Sequence, residues 1–252
     1  MVRVELRKYI LSPIFLLAVV LFYFSLVFSC VEIESSDLLC YYEYSITLGF
    51  AAFLLPVASV IPVAYFYYHE ATTSYTWFVL SRGTKMRYIV SRILAATLSG
   101  ACVVLVATAL FFVTEALLCG GKPTIGPGFL GDYGTVFQVL IDQQAYQAIL
   151  GIMLLALTIN GMLWPLICLA VYALTSNKYV IIAAPFIFRT LLSYLAQAIR
   201  CFPLDPAQLL LKGVMRNTAG GGIVYVLIYF LILGGLCSGL WIWRIRGRLK
   251  HG

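Results

Sequence analysis

Two histidines, ten carboxylates and seven cysteines are the chain's main means for acid–base, nucleophilic or metal chemistry. None falls in a spacing that such chemistry requires. His69 and His251 have no partner at metal-ligand spacing, and no CxxC pair occurs. There is no HExxH helix, no GxSxG elbow and no acid pair inside an apolar run, so membrane-protease and lipid-hydrolase readings lack a carrier residue. The nearest approach to a phosphate loop, Gly120-Gly121-Lys122-Pro123, lacks the upstream Gly and the following Ser/Thr. Among the cysteines, a Cys30–Cys40 bridge is one reading of two thiols near the predicted outer face; the other is that all seven are ordinary apolar thiols. No catalytic residue, metal or bound cofactor is therefore expected on this chain.

The residues that surround these sparse groups are apolar. Of 252 residues, 62% are hydrophobic and 11% charged, with a mean hydropathy of +0.97. Soluble domains have roughly 45–50% apolar and 25% charged residues, and could not bury this excess. The charges flank long uncharged runs, and a helix needs about 20 apolar residues to cross a hydrocarbon core about 30 Å thick. The sequence thus predicts an all-α integral membrane protein with about six spans in a single transmembrane domain covering residues 1–252. The spans run from Pro13 to about Val31, over Tyr44 to Tyr68 with Pro56 and Pro62 as kinks, and over Ile93 to Thr114. A fourth lies within Gln143 to Asn177, bent near Pro165 after an interfacial approach; the fifth is Tyr179 to about Ile199 and the sixth about Gly222 to Trp243.

Residues 1–12 read as an interfacial helix, with Val2, Leu6, Tyr9 and Ile10 on its apolar face and Arg3, Arg7 and Lys8 mostly on another. Ser12 is placed to cap the next helix, with Pro13 at its first position. Twelve of the seventeen Lys and Arg fall on segments assigned to one side, which places both termini in the cytoplasm of a multi-pass plasma-membrane protein. The net charge of +7 serves this orientation; no basic block or basic-aromatic stripe points to nucleic acid.

The loop over residues 69–92 is the most informative cytoplasmic segment. Thr73 or Ser74 can cap a short helix through Leu80, Gly83 can end it, and Thr84 can cap the helix entering the third span. The result is a small amphipathic hairpin, either a solvated positive anchor or a docking element. With the surface helix, the six spans and the stretch VLSRGTKMRYIVSRILAATLSG, this loop resembles that of permease subunits of the ABC type-2 exporter family. The matching residues are Glu70, Thr73-Ser74, Val79-Leu80, Arg82, Lys85, Arg87-Tyr88 and Arg92, and LAVYALTSNKY resembles the family's small-residue end of the fourth span. The resemblance implies a half-transporter: a second permease, identical or related, and separate cytoplasmic ATPase subunits that hold ATP and Mg. It also implies that Glu70, Ser74, Trp77, Leu80, Arg82, Lys85 and Arg87 couple this chain to the ATPase.

Three further features bear on function. Arg189 interrupts the fifth span, as a contact for an anionic substrate or lipid, or as a structural charge with Glu115 and backbone carbonyls as partners. Gly235-x-x-x-Gly239 in the sixth span and Ala96/Gly100 in the third permit close helix contact, read as packing within the protomer with dimer contact as the alternative. Asp205-Pro206 opens a short outer helix, re-entrant or interfacial, within residues 200–217. The competing class is a stand-alone membrane scaffold or immunity-type protein without an ATPase. No residue selects a substrate.

Overall fold

The computed structural model describes residues 2–30, 37–47, 49–72, 85–118, 124–126, 134–175, 177–206 and 219–248. Among them the chain is helical, with one isolated bridge between Asp37 and Thr124 and no strand. The helices are α1 (Val2–Ile10), α2 (Pro13–Cys30), α3 (Leu38–Thr47), α4 (Phe50–Thr72), α5 (Lys85–Leu118), α6 (Gly134–Asp142), α7 (Tyr146–Leu174), α8 (Lys178–Ala198) and α9 (Ala219–Arg248). Five are long and apolar enough to cross a membrane, and α1 with α2 forms a sixth span if the bent pair is taken as one. The protein is an all-α membrane protein.

The bend between α1 and α2 is 61°. Ser12 makes it: its Oγ donates to the Tyr9 carbonyl at 2.8 Å and accepts the Phe15 N–H at 3.1 Å. This closes one helix and caps the next, with Pro13 at the first position, where its missing N–H costs no hydrogen bond. At the other boundaries the Asn177 side chain caps α8 by accepting the Tyr179 N–H at 3.0 Å.

The uncharged run expected as the second span is divided. Its first residues belong to α3, and the spanning helix begins only at Phe50. Gly49 lies at the break because a Cβ there would stand 2.1 Å from Ser29 Oγ on α2. From Phe50 the helix runs through Pro56 and Pro62 without interruption. The fourth span is likewise one continuous helix through Pro165, and it takes up nearly all of the run from Gln143 to Asn177 expected to hold an interfacial approach as well; the short helix α6 ends before that run begins.

The most buried of the spanning helices is α7, which packs on α4, α5, α8 and α9. Its crossing with α5 is backbone to backbone: a Cβ on Gly100 would lie 2.3 Å from the Gly161 carbonyl oxygen and 2.8 Å from Pro165 Cγ. Small residues here serve contact within the chain, as read from Ala96 and Gly100. The Gly235–Gly239 pair does not. Positions Gly235 and Gly239 have open space where a Cβ would stand, and α9 packs chiefly on α7 through other residues, including Gly234 against Leu166. That correction follows from the helix's rotation, which presents only one side of the glycine-rich stretch to α7.

Candidate functional site

One end of the bundle carries a charged cluster under an aromatic layer. It gathers α1, the last turns of α4 and the first turns of α5. Glu5 and Tyr9 stand one helical turn apart on the buried side of α1, Glu70 lies in the last turn of α4, and Arg92 lies two turns into α5. Arg92 is 0% exposed. Its Nη1 stands 3.1 Å from Glu5 Oε2 and its Nη2 2.5 Å from Glu70 Oε2. Lys8 Nζ donates to Glu70 Oε1 at 3.1 Å and lies 3.9 Å from Glu5 Oε2. Two acids and two bases thus balance in charge.

The Arg92 carboxylate contacts are ion pairs by distance; the N–H vectors are not aligned for hydrogen bonds, and Nε donates to no acceptor. Aromatic groups complete its surroundings. The guanidinium lies 5.3 Å from the Tyr67 ring centre and 5.0 Å from that of Tyr88, both within cation–π range. Nη1 also donates to the Tyr9 hydroxyl at 3.2 Å. Tyr67, Tyr172 and Trp241 then stack at 5.1–5.9 Å, joining α4, α7 and α9 at the same end. Lys178 at the start of α8 lies over Tyr68 there too, so α1 and the C-terminal end of α9 share one end of the molecule.

A carboxylate in the last turn of a helix opposes the helix dipole, and one removed from water needs compensation. Glu70 has both problems, being 6% exposed, and Lys8 and Arg92 answer them. Its buried ion pairs join the end of α4 to α1 and α5. Arg87 is exposed on α5 beside Arg3 of α1. Ser74, Trp77, Leu80 and Arg82 lie outside the described residues, as does the Lys85 side chain.

The sequence reading missed Glu5 and Lys8 as members of a site and treated Arg92 only as a basic residue at the membrane entrance. The available signal was the Glu5–Tyr9 spacing on α1 and the Tyr88–Arg92 spacing on α5, each i,i+4. On α1 Tyr9 is buried, Val2, Leu6 and Ile10 are half-buried and Arg3 and Arg7 are exposed, as the face assignment has it, and Glu5 joins Tyr9 on the buried side.

At the opposite end, Arg189 is 8% exposed, with its guanidinium 4.9 Å from the Phe53 ring centre. Nearby, on the turn after α8, Asp205 accepts the Ser193 hydroxyl at 2.6 Å. Among the described residues no ion pair joins Glu115 to Arg189: Glu115 sits near the C-terminal end of α5, and α5 shares no extended contact with α8. Tyr225 and Tyr229 of α9 donate to the carbonyls of Pro203 and Leu204, tying α9 to the turn after α8. That turn is a short 3-10 helix, Phe202–Leu204; the rest of the expected outer helix lies outside the described residues. Cys40 is a buried free thiol, and the Cys30 side chain lies outside the described residues. No group of three metal-ligating side chains occurs among the described residues.

No protein-family model, no curated protein and no solved structure matches this chain.

Proposed function

We propose that the chain is the transmembrane permease subunit of an ATP-binding-cassette exporter, moving a substrate out of the cytoplasm with ATP hydrolysed in a separate subunit. The observation that supports it most is the mounting of the loop 73–84. The loop joins α4 to α5, and Glu70 of α4 and Arg92 of α5 meet in the buried cluster. A push on such a loop moves two spanning helices together rather than bending a flexible linker. The loop's Trp77, Leu80 and Arg82, with Lys85 at the head of α5, supply the apolar and basic contacts for a cytoplasmic ATPase.

On this reading the cluster end is cytoplasmic, in the cell membrane, and both termini lie on that side. The basic side chains Arg3, Arg7, Lys8, Arg87, Arg92, Lys178 and Arg244 support this orientation. A second permease, identical or related, completes the pathway, with the uncovered Gly235–Gly239 side of α9 as its place of contact. This chain binds no ATP or Mg; its own part is mechanical. Purification from native membranes is expected to yield a stoichiometric complex with a nucleotide-binding subunit whose ATPase activity depends on this chain. Isolation of this polypeptide alone, under detergents that preserve its helicity, would favour a stand-alone scaffold or immunity-type protein.

A further inference from the structure

We propose that the cleft between α1 and the start of α5 holds the phosphate headgroup of an anionic phospholipid. The cleft has a volume of about 290 Å³ and is lined by Val2, Arg3, Arg87, Val90 and Ser91. Its two guanidinium groups differ from the neighbouring bases. Lys8 and Arg92 are committed to Glu5 and Glu70, whereas Arg3 and Arg87 are exposed and have no ion-pair partner among the described residues. No acid lines the cleft, so it presents two positive charges to whatever enters. The Ser91 hydroxyl is already donated to the Tyr88 carbonyl at 2.8 Å, which leaves the arginines as the phosphate donors. Two arginines lining one cleft suit a phosphate oxygen set, for which guanidinium geometry is favourable.

The apolar surface beside the charges selects a lipid over free phosphate. Val90 and Leu94 are each 44% exposed. With Arg87 they follow at three- and four-residue steps along one face of α5, so a chain leaving a headgroup at Arg87 would run down that face. The position is also that of a headgroup: α1 leaves the α2 axis at 61°, and Arg3 lies on it opposite the start of the α5 span. Basic groups at this level attract anionic lipid. The inference does not depend on the exporter reading.

The test is native mass spectrometry of the full chain in detergent, titrated with phosphatidylglycerol or phosphatidylcholine. One phosphatidylglycerol is expected to bind in preference to phosphatidylcholine, and R3Q/R87Q is expected to weaken that adduct about tenfold. Both positions are exposed, and unchanged helicity by circular dichroism is expected in the variant. The variant K178Q, altered at the same end of the bundle but away from the cleft, is expected to bind as the parent does. Equal binding by R3Q/R87Q and the parent would overturn the site, including the case in which the variant loses only an ATPase contact. Equal weakening by K178Q would reduce it to general surface charge. Displacement by inorganic phosphate as effective as by phosphatidylglycerol would make it a site for the free anion and end the lipid assignment.

Discussion

Arg92→Met is expected to destabilise the protein by about 3–5 kcal/mol, the range for removing one partner from a buried ionic group. The guanidinium is fully buried, contacts Glu5 and Glu70, and fills the space between Tyr67 and Tyr88. Without it two buried carboxylates face one lysine, and the cluster carries a net negative charge away from water. Methionine replaces part of the volume, so the loss reports charge more than cavity. The measurement is thermal unfolding of the purified chain in detergent, followed by circular dichroism and by loss of the monodisperse peak. The double variant Glu5→Gln/Arg92→Met leaves Glu70 paired with Lys8 and restores the charge balance, and it is expected to recover most of the loss, because a neutral replacement of part of a buried ionic group is often tolerated. An unchanged unfolding temperature in Arg92→Met would mean that the cluster does not hold α1, α4 and α5 together.

Charge reversal in the loop is expected to do the opposite: leave stability alone and abolish coupling. Arg82→Glu/Lys85→Glu should lower ATPase stimulation by this chain about tenfold or more, since like charges across an interface cost several kcal/mol. The unfolding temperature should not move, because neither residue belongs to the Glu5–Lys8–Glu70–Arg92 cluster. Lys178→Gln is the internal comparison. It sits at the same end of the bundle, at the start of α8 rather than in the loop between α4 and α5, and is expected to leave ATPase stimulation near the parent's value. Transport and ATP hydrolysis measured together in proteoliposomes decide the matter, with retained stimulation in the double reversal counting against docking by this loop.

How far the sequence carries the account can be seen residue by residue. The spans were legible because lipid imposes a length and forbids charge, a one-dimensional requirement that Pro13 to Cys30 or Tyr146 to Leu174 meets openly. The Ser12-Pro13 boundary was legible because capping acts between neighbours. The break at Gly49 was not, since its cause is Ser29 on another helix and the surrounding run carries no charge to mark it. The same distance in sequence hid the charged cluster. Tyr9 and Arg92 are 83 residues apart, and Glu5 on a surface helix is ordinarily a solvated acid. Nothing local distinguishes it from Arg3 or Arg7. The glycines show both outcomes: Gly100 packs on Gly161 and Pro165 within the chain, while the Gly235–Gly239 pair, with the same spacing logic, is left open by the rotation of α9. Helix rotation depends on the sum of contacts, and a small-residue pair does not fix it.

The loop between α4 and α5 as the contact for a partner's ATP cycle is the point on which the functional account turns. A photo-reactive amino acid at position 77, in the full chain in native membranes, tests it directly. The account predicts an adduct with a nucleotide-binding ATPase, identified by mass spectrometry and altered in yield by ATP. Cross-links only to this chain or to lipid, with ATP without effect, would contradict it.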